Sequence, residues 1–143
     1  MIKTPRRACT DGAEQALLDT SVVVDLAEID RSLVPEGSAI SAITLAELAI
    51  GPHAAVNAAE RSRRQDTLQR AESAFVALPV DVAVARAYAR LYVALPRPAP
   101  KPRGRRGFDL LIAATALAAD LPLYTRNLRD FVGFEELIEI VIV

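Results

Sequence analysis

Four carboxylates in this sequence stand where a carboxylate is costly. Asp19 follows the apolar pair Leu17-Leu18, and Glu47 lies within Ile43-Thr44-Leu45-Ala46-Glu47-Leu48-Ala49. Asp109 opens Asp109-Leu110-Leu111-Ile112-Ala113-Ala114, and Asp130 ends Thr125-Arg126-Asn127-Leu128-Arg129-Asp130 just before Phe131. Taking an unpaired charge out of water is expensive, so acids in such segments need compensation. Brought together they would repel one another, and a divalent cation would remove the conflict. A set of hard oxygen ligands selects Mg²⁺ or Mn²⁺ over zinc. Each acid also has a plain structural role. Asp19 suits a helix cap, Glu47 the third position of a capping box opened by Thr44, Asp109 a first helical turn, Asp130 an exposed loop, and Asp25 a helix surface. The joint placement of the acids is what favours the metal reading.

The rest of the composition narrows the chemistry. His53 is the only histidine and Cys9 the only cysteine. A Ser-His-Asp or Cys-His hydrolase is therefore excluded unless His53 is the base, and no Cys/His cluster exists to hold zinc. A lone cysteine and no apolar h-region behind the first basic residues favour a reducing, cytoplasmic setting without a secretory signal. No stretch approaches the roughly 18–20 apolar residues that span a bilayer. Net charge is −1, and apart from Lys3 and Lys101 the basic residues are arginines. From Arg97 to Gly107 the chain holds Arg97, Lys101, Arg103, Arg105 and Arg106 with no acid, immediately before Asp109. Such a segment could hold a phosphate backbone that the acids alone would repel. Arg61, Arg63, Arg64 and Arg70 read as a solvated helix face, and Tyr88, Tyr92 and Tyr124 as packing residues.

These residues need elements to hold them. Ala16-Leu17-Leu18 reads as a buried strand, followed by a helix capped by Thr20 or Ser21. Ser38 to Ser41 is a second strand, and Thr44 caps the helix that carries Glu47 until Gly51-Pro52 breaks it. A long polar-faced helix is predicted from Ala54 to about Phe75, Leu78-Pro79-Val80 is a connector, and Val82 to Leu95 is amphipathic. Four prolines and two glycines make residues 96–107 a loop. A strongly apolar helix runs from Phe108 to Ala119, then a strand over Pro122 to Thr125, a turn or short helix over Asn127 to Phe131, and a strand from Leu137 to Val143. Short apolar strands alternating with helices indicate an α/β fold with a mainly parallel sheet, where function gathers at the carboxyl ends of the strands. The 143 residues suit one domain over residues 16–143 behind a leader over residues 1–15.

Leu18-Asp19-Thr20-Ser21 with Val22-Val23-Val24-Asp25-Leu26 resembles the opening motif of PIN domains. Thr44-Leu45-Ala46-Glu47-Leu48 is similar to the second motif, and Asp109-Leu110-Leu111-Ile112-Ala113-Ala114-Thr115-Ala116 to the third. Thr125 to Phe131 resembles the fourth, and the motifs stand in family order from about Leu17 to Val143. Chain length points within that superfamily to the VapC toxins of toxin–antitoxin pairs. The resemblance implies a three-layer α/β/α fold and a Mg²⁺-dependent endoribonuclease acting on tRNA, rRNA or mRNA and thereby inhibiting translation. It also implies a cognate VapB-like antitoxin, a homodimer, and no membrane association. Asp19, Glu47 and Asp109 carry over as acids that hold the metal. Some PIN nucleases have an aspartate where this chain has Asn127, so either Asp130 supplies the last acid or Asn127 contributes a neutral oxygen. In this reading Thr20, Ser21 and Thr125 support the carboxylates or contact phosphate through their hydroxyls, and Arg103, Arg105 and Arg106 grip RNA.

Three other classes fit less well. A non-catalytic binding domain on this fold would have lost one of the acids. A phosphoacceptor receiver domain needs a late lysine, and none follows Lys101. A flap-type DNA nuclease needs helical clamps for which 143 residues leave little room.

Overall fold

Leu17 and Leu18 show in two residues how the layers are built. They form a strand at the centre of the sheet and both are fully buried. Successive strand residues point to opposite faces, so Leu17 enters one apolar cluster and Leu18 the other. The computed structural model describes residues 2–3, 14–98 and 101–143. Its strands are β1 (Ile2–Lys3), β2 (Leu17–Leu18), β3 (Ala39–Ser41), β4 (Ala77–Leu78), β5 (Leu123–Thr125) and β6 (Ile140–Ile142). They form one sheet in the order β1-β6-β5-β2-β3-β4, with every pairing parallel. The same alternation divides Leu123 from Tyr124 and Ile140 from Val141 between the two clusters. A sheet apolar on both faces must be covered on both.

The helices provide that cover. They are α1 (Thr20–Val24), α2 (Ala42–Ile50), α3 (Ala58–Ala74), α4 (Val82–Ala94) and α5 (Arg105–Ala119). Val84, Ala87 and Leu91 of α4 and Leu110, Ile112 and Ala113 of α5 pack with Leu17. Val22 and Val23 of α1, Leu48 of α2 and Ala71 of α3 pack with Leu18. The result is the expected α/β/α sandwich with a parallel sheet. Truncating a fully buried member such as Leu91 or Ile112 to alanine should cost about 2–5 kcal/mol.

Strand order also fixes where a site can form. From β2 the chain moves outward through β3 and β4, then returns to the other side of β2 for β5 and β6. The order reverses between β2 and β5, and crevices open at the carboxyl ends of strands flanking such a reversal. Asp19 follows β2 directly, and Thr125 ends β5.

Several local expectations are corrected. The cap of α1 is Asp19, whose side chain accepts from the Thr20 N–H, and not Thr20 or Ser21. The cap of α2 is Ser41, which accepts from the Ile43 N–H. Thr44 and Glu47 are therefore both inside the helix, and the capping box does not form. Of the predicted connector over residues 78–80, Leu78 instead ends a strand, Ala77–Leu78, paired with Ile40 and Ser41, while Pro79 and Val80 are irregular. Two residues are too few to display a period. Gly51–Ala54 forms a separate 3₁₀ turn, so the long helix begins at Ala58 behind the Asn57 cap. Arg64 ties that turn to α3 by donating to the Gly51 carbonyl at 2.9 Å. The apolar helix α5 starts at Arg105 instead of Phe108, because the Gly104 carbonyl accepts from the N–H groups of Gly107 and Phe108. Gly104 has φ +55°, a conformation that suits glycine. Within the predicted leader, Ile2–Lys3 pair with Ile140 and Val141 at the sheet edge. The rest of residues 1–13, including Cys9, lies outside the described residues.

Candidate active site

Asp19 is buried at the carboxyl end of β2, and its charge is met by three donors. Oδ1 accepts from the Thr20 N–H at 2.8 Å. Oδ2 accepts from Ser21 Oγ at 2.8 Å and from Thr125 Oγ1 at 2.9 Å. One hydroxyl belongs to α1 and the other to β5, so the carboxylate sits across the strand-order reversal. The two hydroxyls are 3.3 Å apart.

Glu47 reaches the same crevice from the middle of α2. Its Oε1 accepts from Thr20 Oγ1 at 2.7 Å, and Thr20 Oγ1 also lies 3.1 Å from Thr44 Oγ1. Behind these groups Ser41 and Thr115 are buried and hold their hydroxyls 3.3 Å apart, joining α2 to α5. Thr115 Oγ1 donates to the Leu111 carbonyl at 2.8 Å. Its proton is thereby committed, and Ser41 is left as donor to Thr115.

Asp109 is buried on α5, one turn inside the helix and not in its first turn. Burial, then the Asp130 and Asp19 carboxylates, push its carboxyl up to about 7; Arg105, one turn earlier, opposes the rise, and Glu47 adds to it. Asp130 lies on the 3₁₀ turn Leu128–Phe131 and is half-buried, not an exposed loop acid. Its Oδ2 accepts from Asn127 Nδ2 at 2.6 Å. The Asp109 carboxyl thus lies within the electrostatic reach of the other three predicted acids. Among the described residues no three acidic, His or Cys side chains are packed closely enough to close around an ion as they stand. Glu47 is turned to Thr20 and Asp130 to Asn127. The chemistry of the donor set nevertheless fits a hard cation. Every side chain is an oxygen ligand, and the protonation that Asp109 retains to about 7 is what an added positive charge would relieve.

Arg105 and Arg106 are exposed on the first turn of α5, while Arg103 is exposed in the loop before it. Arg106 and Asp130 line one small cavity with Leu110 and Phe134. Tyr124 is buried in the core. His53 is exposed on the turn before α3.

The family described as PIN domain matches residues 16–136, a stretch that includes Asp19, Glu47, Asp109 and Asp130. Ribonuclease VapC5 of Mycobacterium tuberculosis is 37% identical over 122 residues, covering 83% of this chain and 87% of the relative. The chain belongs to the VapC family of PIN-domain ribonucleases. Ribonuclease VapC8 of the same species is 44% identical over 102 residues, covering 70% of this chain and 88% of the relative. In three dimensions this VapC-family chain is similar to a crystal structure of VapBC-5, a member of the VapBC family of toxin–antitoxin systems from M. tuberculosis. The TM-score is 0.74 at 36% identity, covering 90% of this chain and 97% of that one.

Beyond the site residues expected from sequence, the fold draws in Ser41, Thr115 and Arg126, and it brings Thr44, expected only as a helix cap, beside Thr20. Thr44 stands three residues before Glu47, and that spacing on a helix was the available signal. Arg126 carries no local signal, because its partners, Asp25 and Glu28, lie about a hundred residues away.

Proposed function

We propose that this protein is an endoribonuclease toxin that hydrolyses RNA phosphodiester bonds with Mg²⁺, or Mn²⁺ in its place, and is restrained by a VapB-type antitoxin. One observation carries the reading: the buried Asp109 carboxyl is raised by the charges of Asp130, Asp19 and Glu47, on a chain of the VapC family. Asp19 and Asp109 would hold the ion, with Glu47 beside them. When bound, the ion supplies Lewis acidity and positive charge for attack on a phosphodiester. Thr20 orients Glu47, Ser21 and Thr125 orient Asp19, and Asn127 orients Asp130. Asp130 is then the fourth acid, with Asn127 as its holder. Arg103, Arg105 and Arg106 would draw the RNA backbone toward acids that repel it.

The partner reading follows from the same polarity. An antitoxin arginine or lysine entering the crevice would supply the missing positive charge, while its chain covers the face of α2 around residues 43–50. A homodimer would bring two such crevices into one particle. The setting is the cytoplasm; among the described residues no helix is long and apolar enough to cross a membrane.

The deciding experiment maps RNA 5′ ends across the transcriptome after brief induction of the wild type and of Asp19→Ala. New ends confined to the wild type, growth arrest, and relief by the neighbouring small gene are expected. Equal end profiles from the two proteins would overturn the reading.

A further inference from the structure

We infer that the ion pair between Arg126 and Asp25 is a positioning device for the Asp19 and Asp130 carboxylates. The inference rests on the ribonuclease reading above and assigns a role to two residues outside the acid set. Ser21 and Thr125 each offer one hydroxyl proton, and both protons go to Asp19 Oδ2. A hydroxyl keeps that aim when a donor occupies its lone pair from behind. Behind Ser21 Oγ is the Arg126 N–H at 3.1 Å; behind Thr125 Oγ1 is the Asn127 N–H at 3.0 Å. The Asn127 side chain then reaches Asp130. Two consecutive residues therefore orient two of the acids.

What holds those residues is the Arg126 side chain. Its Nη1 donates to Asp25 Oδ2 at 2.8 Å and lies 3.5 Å from Glu28 Oε2. Asp25 is the C-cap of α1, one turn after Ser21, and its N–H bonds the Ser21 carbonyl. The contacts close a ring: from Ser21 along α1 to Asp25, across to the guanidinium, and through the Arg126 N–H back to Ser21 Oγ. Movement of the segment after β5 would break that ring and release both hydroxyls. Two carboxylates facing one guanidinium also leave Arg126 poorly suited to an RNA phosphate. The pair is partly exposed, so it contributes little to global stability. Its effect belongs in the geometry of the acids.

The test compares wild type, Arg126→Ala, Asp25→Ala, the double variant and Arg126→Lys. Mn²⁺ affinity is read without RNA, from loss of the free-ion EPR signal. Cleavage of a single-stranded RNA gives kcat, KM and the salt dependence of KM. Residues that orient metal-holding side chains typically matter about 10- to 100-fold, and the lower figure is expected here. Arg126→Ala and Asp25→Ala should each weaken Mn²⁺ binding and lower kcat about 10-fold, with KM and melting temperature nearly unchanged. The double variant should be no worse than Arg126→Ala, since both remove one contact, and Arg126→Lys should recover most of the loss. A raised KM with a flatter salt dependence in Arg126→Ala alone would make Arg126 an RNA contact and overturn the inference. Unchanged Mn²⁺ affinity in both single variants would overturn it as well. If the wild type cleaved no RNA, the ribonuclease reading would fall, and the Mn²⁺ titration would still decide the positioning role.

Discussion

Thr20 and Glu47 stand on different helices, 27 residues apart, and are joined by a 2.7 Å hydrogen bond from hydroxyl to carboxylate. Thr20 sits beside the Asp19 cap at the carboxyl end of the central strand, while Glu47 sits in the middle of α2. Thr20 therefore holds both acids, Asp19 through its N–H and Glu47 through its hydroxyl.

Replacing Thr20 by valine keeps the shape and removes that donor. A hydrogen bond to a charged group contributes about 1.5–3 kcal/mol, and partial exposure places this one near the lower figure. Thr20→Val should lower stability by about 1.5 kcal/mol in urea titration. Cleavage should fall about 10-fold, and Thr20→Ser should retain most of it. Wild-type kcat in Thr20→Val would show that Glu47 needs no hold from Thr20.

Asp109 makes stability depend on pH. Its carboxyl is raised from the ordinary 3.8 to about 7, first by burial and then by Asp130 and Asp19. Between those values the folded chain binds more protons than the unfolded one. The stabilisation is fully present below 3.8 and is lost as pH rises through about 7. Asp109→Asn carries no charge at any pH. It should melt higher than wild type at about pH 8, and the gap should shrink toward pH 5. Mg²⁺ should raise the wild-type melting temperature at the higher pH and leave the variant nearly unmoved, while the variant cleaves no RNA. Scanning calorimetry with and without Mg²⁺ checks the melting temperatures, and an RNA cleavage assay checks the loss of activity.

The arginines before and within α5 separate by function. Neutralising Arg103, Arg105 and Arg106 together should weaken binding to single-stranded RNA. It should also flatten the salt slope by as much as about 2, since each phosphate contact contributes about 0.7. Cleavage should rise with pH as Asp109 loses its proton, and Arg105→Gln alone should move that rise to higher pH, because Arg105 lowers the Asp109 value. Arg103→Gln should leave that rise in place. Fluorescence anisotropy across salt and a pH–rate profile check the two effects.

Asn127 and Asp130 can be told apart by charge. Asp130→Asn removes the largest carboxylate contribution to the raised Asp109 value, so Asp109 should titrate at lower pH. Metal affinity should fall as an oxygen anion is lost. Asn127→Asp would set two carboxylates in place of a 2.6 Å hydrogen bond, and Mn²⁺ should then stabilise the variant more than the wild type. NMR titration of the aspartate carboxyl carbons without metal checks the first variant, and melting with and without Mn²⁺ checks the second.

Asp19, Glu47 and Asp109 stood out in the sequence because each has apolar neighbours, where burying a charge is costly; the structure buries Asp19 and Asp109 and leaves Glu47 half-buried. The alternation of short apolar runs with helical segments likewise carried the α/β class and the parallel sheet. Helix starts were less legible: Ser41 competed with Thr44, and Gly104 with Phe108, because several adjacent residues could satisfy the same free N–H groups. Only the tertiary structure decided that Thr20 holds Glu47, that Asn127 holds Asp130, and that Arg126 crosses 101 residues to reach Asp25. Local patterning records the cost of burying a group. The partner that offsets this cost is chosen by strand order and helix packing, which bring distant segments to one edge of the sheet.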